Sequence, residues 1–422
     1  MSQPFFYIIL GILILDFLLE RFLEWLNTTC WSDALPAELT CIYDDAQYHK
    51  SQQYLKHKQK YSLVVDTLTF LVMLTFFSLG GFTKVDELVR QWTENTILMS
   101  LLYFGILGFV SSIIAIPFDI YAVFILEEKF GFNTTTPKTF IMDKLKGWLL
   151  GLLFGGGILA LIVWIYTVSG NWFWLLAWGV FALFMIFMIL FYSNIIVPLF
   201  NRQVPLEPGP LRTVIETFAD QVGFKLNNIF VIDGSKRSKK ANAYFTGLGS
   251  KKRIVLYDTL INGHTKEELV AVLAHEIGHY KKKHTLQGLV ISLLQAGLLL
   301  FILSLFIRPA TPLAQQLCQS LGGFAAIPVK QSFHLGILAF GILYSPLSLV
   351  LGLIMNILSR KNEYEADRYA GEMAGPVPMM EALKKLSVNN LSNLRPHPAY
   401  VFFHYSHPTL LQRLNALKKI SL

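Results

Sequence analysis

The chain has 422 residues, of which 53% are hydrophobic and only 15% charged. This is too apolar for a soluble globule or a disordered chain of that length, and it points to several membrane spans. The formal net charge of +8 does not mark a nucleic-acid binder, because Lys and Arg cluster at the ends of apolar stretches.

Seven stretches are long enough to cross a hydrocarbon layer of ~30 Å: Phe5–Leu26, Ser62–Phe82, Ile97–Leu126, Trp148–Val168, Trp172–Phe200, Gly288–Ile307 and Leu335–Leu358. The first has no basic lead and no small-residue cleavage site, so it reads as a span and not a signal peptide. Basic residues follow span one (Lys50, Lys56, Lys58, Lys60) and span three (Lys129, Lys138, Lys144, Lys146), whereas the loops after spans two and four are poor in them. The alternation places the N-terminus outside or in a lumen and the C-terminus in the cytosol. Cys30 and Cys41 then face a reducing compartment, and Cys318 has no C-x-x-C partner. Asp16, Asp66 and Asp119 lie inside predicted spans and are expected to face the bundle interior, paired or lining a wet cavity.

Residues 1–200 therefore read as an N-terminal membrane domain with five spans. Residues 201–422 read as a second domain that includes spans six and seven and a C-terminal tail. The second domain opens with Val204-Pro205-Leu206-Glu207-Pro208-Gly209-Pro210, which has the look of a linker. Helical spacing follows over Leu211–Val222, and short strands are expected at Ile229–Asp233, Ala243–Phe245 and Ile254–Asp258.

Thr265-Lys266-Glu267-Glu268 is a capping box that opens a helix carrying His275-Glu276-Ile277-Gly278-His279. On a helix, His275 and His279 stack on one face and can share a Zn²⁺, and Glu276 sits where it can take a proton from water. A metzincin continuation is excluded, since Lys282 and Thr285 stand where its glycine and third histidine would fall. Two carboxylates just past span seven, Glu363 and Glu365, could supply the third ligand, with Glu363 favoured. Asp367, one helical turn after Glu363, could accept the second N–H of a ligand histidine. Three protein ligands leave an open position, which marks a catalytic zinc, one per chain. An oxyanion donor is also required; His407 is a candidate, with Arg413 as a possible partner. The Asn242–Phe245 segment could offer an edge strand to an extended substrate. His284, five positions after His279, falls off the ligand face and reads as interfacial, and Lys281–Lys283 read as headgroup anchors.

Several multi-residue motifs occur together: Glu127–Asn133, Gly234–Ser238, Asn242–Phe245, Arg253–Leu260, His275–His279, Glu363–Asp367 and Tyr405–Pro408. In this order and with seven spans, the chain resembles the type I CAAX prenyl endopeptidases, integral-membrane zinc proteases of the gluzincin kind. The resemblance implies a mainly α, polytopic helical fold enclosing a hydrated chamber, with a cytosolic zinc protease domain containing a small β-sheet. It implies removal of the C-terminal tripeptide from prenylated CAAX proteins or peptides. It also implies His275, His279 and Glu363 as zinc ligands, Glu276 as base, and Asn242 and His407 as contacts to substrate or oxyanion. The luminal loop after span six and the C-terminal tail look short beside the larger animal members. The expected setting is the endoplasmic reticulum membrane of a eukaryote or the inner membrane of a bacterium, with the lipid bilayer and a prenylated or membrane-associated substrate as partners. Oligomeric state is not legible in the sequence. A membrane quality-control metalloprotease of broader specificity is the alternative.

Overall fold

The computed structural model describes residues 4–420 except 33, 36–39, 41, 225–228 and 247–252. Cys41 falls outside the described residues. The fold is mainly helical with one small sheet. Its first half comprises α1 (Pro4–Thr28), α2 (Asp45–Ser78), α3 (Gly81–Arg90), α4 (Thr96–Tyr121), α5 (Pro137–Leu150), α6 (Gly157–Ser169), α7 (Phe173–Phe191) and α8 (Val197–Phe200). Three of these helices start at side-chain caps: the Asp44 carboxylate accepts the Gln47 N–H at α2, and Asn95 and Thr136 do the same for α4 and α5.

By length and apolarity, four helical stretches among the described residues can cross a membrane, and a pair bent by 55° makes a fifth. One of the four, Pro137–Phe200, has 64 residues and would be about 96 Å long if straight. It folds back at Gly170, whose φ of +52° and ψ of −120° suit a residue without Cβ. Phe154 accordingly lies 6.3 Å from both Phe184 and Phe187, ring centroid to centroid, and the stretch forms a hairpin of two apolar helices. The apolar first helix, α1, carries Asp16, Glu20, Arg21 and Glu24. The seven apolar segments expected from sequence are largely helical, the last of them broken at Tyr344. Leu15, Leu152, Leu183 and Leu294 are among many large apolar side chains left exposed, as a lipid-facing surface requires.

The acids inside the membrane helices all find partners. Asp66 accepts from Arg21 Nη2 at 2.8 Å and Ser62 Oγ at 2.7 Å, and Asp119 pairs with Lys144 Nζ at 2.5 Å. Asp16 accepts from Ser345 Oγ at 2.7 Å and lines a cavity of about 490 Å³ with Glu20, Tyr344 and Asn356.

The second half holds β1 (Gln203–Pro205), α9 (Pro210–Gln221), β2 (Ile229–Ile232), β3 (Ala243–Thr246), β4 (Arg253–Tyr257), α10 (Asp258–Gly263) and α11 (Lys266–Lys281). After these come α12 (His284–Phe306), α13 (Pro312–Gln319), α14 (Phe333–Leu343), α15 (Ser345–Ala374), α16 (Pro376–Asn389), α17 (Pro398–His404) and α18 (Leu410–Lys418). The sheet order is β1-β2-β4-β3, with β2 and β4 parallel and both outer pairs antiparallel. The segment expected as a linker contributes β1; its Pro205 is tolerated because β1 is an edge strand.

One buried core joins the sheet to α9, α11, α16 and α18 through Ile215, Leu256, Leu273, Ile277, Met379 and Leu414. A second core, built from Phe6, Phe77, Tyr103, Leu321 and Phe333, gathers the helix ends remote from the sheet. In that remote core Asp86 and His334 are both buried and lie 2.7 Å apart, and Arg90 Nε donates to Asp86 at 2.7 Å.

Candidate active site

α11 begins at the capping box foreseen in the sequence: Thr265 Oγ1 accepts the Glu268 N–H and Glu268 accepts the Thr265 N–H. It packs along α15, and Gly278 makes the close approach possible. A Cβ at Gly278 would sit 3.1 Å from Ala366 Cα and 3.2 Å from both Ala366 O and Tyr369 Cβ. This contact sets Glu363 of α15 opposite the two histidines of α11. His275 Nε2 and His279 Nε2 are 3.1 Å apart; Glu363 Oε2 lies 3.5 Å from the first and Oε1 3.2 Å from the second.

The ligand atoms of these three residues all fall within 4.8 Å of one another. Glu363 Oε2 is buried with no hydrogen-bond donor among the described residues. Burial alone would raise the Glu363 pKa, yet the two imidazoles hold it well below the ordinary carboxylate range. Burial likewise favours neutral His275, but Asp367 and Glu363 push its pKa up to about 9. The pocket is thus built to hold positive charge, and an orphaned carboxylate oxygen beside two converging imidazoles fits a divalent metal.

Asp367, almost fully buried, lies behind His275, with Oδ1 2.9 Å from His275 Nδ1. Arg413 of α18 clasps it with both prongs, Nε to Oδ2 at 2.8 Å and Nη2 to Oδ1 at 2.6 Å. Burial would raise the Asp367 pKa, but the Arg413 guanidinium and the His275 ring hold it low. Arg413 Nη2 also comes within 3.8 Å of Glu363 Oε2.

His407 Nε2 stands 3.4 Å from Glu363 Oε1, and Ser406 Oγ is 3.0 Å from His407 Nδ1. His407 is reached by solvent but walled in on most sides; that enclosure, joined by Arg413 and opposed by Glu363, lowers its pKa from the usual histidine value. The segment that delivers it is pinned by side chains with no recognisable sequence pattern. Arg360 donates to the carbonyls of Tyr405 at 2.5 Å and Val401 at 3.3 Å, and Asn356 donates to that of Phe403 at 2.7 Å.

Asn242 is exposed just ahead of β3, with its Oδ1 accepting the Ala243 N–H. The structure records no contact between Asn242 and the three-residue cluster, but β3 is an edge strand packed beside α11. Glu276 and His279 open onto a cavity of about 310 Å³ with Ile291, Met355 and Leu358. His407 and Arg413 face another of about 690 Å³ with Tyr54, Lys58, Lys240 and His404.

The favoured carboxylate is the one found at the cluster, and one expectation changes. Glu365 points away from the cluster, so the carboxylate facing the histidines is Glu363. His284, expected at the membrane interface, is buried against His279, with their Nδ1 atoms 3.1 Å apart. The helix breaks at Lys282–Lys283, so counting positions along one continuous helix misplaced it.

Residues 26–202 match the family model described as CAAX prenyl protease N-terminal, five membrane helices, and residues 205–421 match Peptidase family M48. The chain belongs to the CAAX prenyl protease family of M48 metallopeptidases. It is 36% identical to CAAX prenyl protease 1 of Saccharomyces cerevisiae over 99% of this chain and 96% of that protein. It is 33% identical to the Arabidopsis thaliana CAAX prenyl protease 1 homolog, over 99% and 98%. The crystal structure of S. mikatae Ste24p is similar at a TM-score of 0.90 and 36% identity, covering 99% of each chain. An M48 family member is a metalloendopeptidase, which agrees with the metal-ready cluster above.

Proposed function

We propose that this chain is a zinc endopeptidase of the membrane that removes the C-terminal tripeptide from prenylated CAAX proteins or peptides. The observation that carries this is the meeting of His275 and His279 with Glu363 between helices that continue into apolar spans. His275, His279 and Glu363 would hold one Zn²⁺, which supplies Lewis acidity at its open position. Glu276 takes the proton of the attacking water and returns it to the leaving amine. With Ser406 Oγ 3.0 Å from His407 Nδ1, a hydrogen bond donated by that hydroxyl would leave His407 Nε2–H to stabilise the developing oxyanion. Asp367 and Arg413 fix the His275 ring, and the outer edge at Asn242 and β3 pairs with the extended peptide.

A prenyl chain favours an apolar setting by ~0.8 kcal/mol per buried CH₂. Ile291, Met355 and Leu358 of the cavity beside Glu276 suit that end of the substrate, and the larger cavity beside His407 suits the tripeptide. The membrane is that of the endoplasmic reticulum, in keeping with the eukaryotic relatives, with the zinc site and C-terminus in the cytosol.

The test is incubation of the purified protein with matched farnesylated and unmodified CAAX peptides, with product masses read out. Release of the intact tripeptide from the farnesylated peptide alone is expected. Equal cleavage of both at scattered bonds would replace this reading with the broader quality-control protease.

A further inference from the structure

The two imidazoles of the cluster are held from behind in different ways. Behind His275 stands the Asp367 carboxylate, clasped by Arg413. Behind His279 stands another histidine, His284, whose Nδ1 is 3.1 Å from His279 Nδ1 and whose Nε2 is 3.2 Å from Glu365 Oε2. The two rings meet edge to face at 5.1 Å and 74°.

The proton positions along this chain follow from one constraint. His279 Nε2 faces Glu363 and His275, so it is the atom that offers its lone pair to a metal and carries no hydrogen. The hydrogen of the neutral ring is then on Nδ1, which must donate to His284 Nδ1. His284 in turn carries its hydrogen on Nε2 and donates it to Glu365. The relay has only one direction, and it selects the His279 tautomer that ligation needs.

The backbone is bent to achieve this. On an unbroken helix a residue five positions on would be turned about 140° away from His279. Lys283 instead adopts a left-handed conformation, φ 59° and ψ 27°, which is unfavourable for a residue with a Cβ. The turn ends α11 and starts α12 with His284 folded back, only 7% exposed.

We propose that His284 is a positioning residue of the metal centre, fixing the tautomer and orientation of His279, with Glu365 orienting His284 in turn. The proposal rests on the zinc reading above and deepens it.

The test compares purified His284→Leu, His284→Asn and Glu365→Ala with the parent protein. Zn²⁺ affinity is measured by competition with a chromophoric chelator, and the visible spectrum of each Co²⁺-loaded form is recorded. Leucine fills the space without an acceptor, whereas asparagine places an oxygen near the position of Nδ1. His284→Leu is expected to bind Zn²⁺ ~10–100-fold more weakly, with an altered Co²⁺ spectrum, and His284→Asn to regain most of the loss. Glu365→Ala, at a half-exposed position, is expected to keep one Zn²⁺ with several-fold weaker affinity. Parent-like affinity in both His284→Leu and Glu365→Ala overturns the relay, as does an asparagine variant no better than leucine. Should the leucine variant fail to fold, parent-like affinity in Glu365→Ala alone overturns it. A parent protein that binds no stoichiometric Zn²⁺ refutes the zinc reading instead, so the two failures are distinct.

Discussion

Glu276 and Glu363 are both acids of the candidate site but are assigned opposite tasks, and substitution separates them. Glu276→Gln is expected to keep one Zn²⁺ per chain while kcat falls ~10²–10⁴-fold. Retained turnover would remove Glu276 as the base. Glu363→Ala is expected to lose stoichiometric Zn²⁺, as measured by elemental analysis, because Glu363 is the carboxylate facing both imidazoles. Full metal content in that variant would return the ligand role to another acid. The grouping of the histidines and of Glu363 with Asp367 is legible in the sequence, because the four-residue spacing of each pair describes one face of a helix. The place of His284 is not: it depends on a left-handed backbone at Lys283, and lysine carries no turn signal of the kind glycine or asparagine does. Arg360 is hidden for a related reason, since its partners are main-chain carbonyls of a remote segment, which leave no trace in residue type.

The seam between α11 and α15 decides whether the ligands meet at all. It is narrow because Gly278 of one helix lies against Ala366 of the other. Gly278→Val is expected to force the helices apart, costing ~1–3 kcal/mol of overpacking and weakening Zn²⁺ binding even though every ligand is intact. Unchanged metal affinity in that variant would show that the spacing is set elsewhere. At this scale the strands β2, β3 and β4 are legible from alternation, whereas β1 is not. Three residues containing a proline and followed by Pro208, Gly209 and Pro210 carry the composition of a turn, and only pairing with β2 makes them a strand. The hairpin at Gly170 is legible as two spans, since a single helix of that length would exceed any bilayer several times over.

For the whole molecule, one of the two buried cores packs around the site-bearing helix α11 and the other lies remote from it. The remote core has its own buried ion pair: burial would raise the Asp86 pKa, but His334 and Arg90 bind its ionised form and hold it low. A lowered carboxylate pKa contributes stability above the unfolded value of ~3.9 that is lost as pH falls through the folded value. Asp86→Ala is therefore expected to cost about 3 kcal/mol near neutral pH and to show a flatter loss of thermal stability on acidification, with Zn²⁺ affinity unchanged. Identical acid melting curves for variant and parent would remove Asp86 from that account. The ligand-bearing segments have a further consequence, since α11 leads through Lys283 directly into α12, while α15 is itself the far limb of a bent span. Coordination distances and the lateral spacing of two transmembrane rods are then one mechanical variable, and the lipid sets part of it. Turnover in vesicles of graded acyl length should peak near a hydrocarbon thickness of ~30 Å and decline in thinner or thicker bilayers, so that the enzyme gauges the membrane in which it sits.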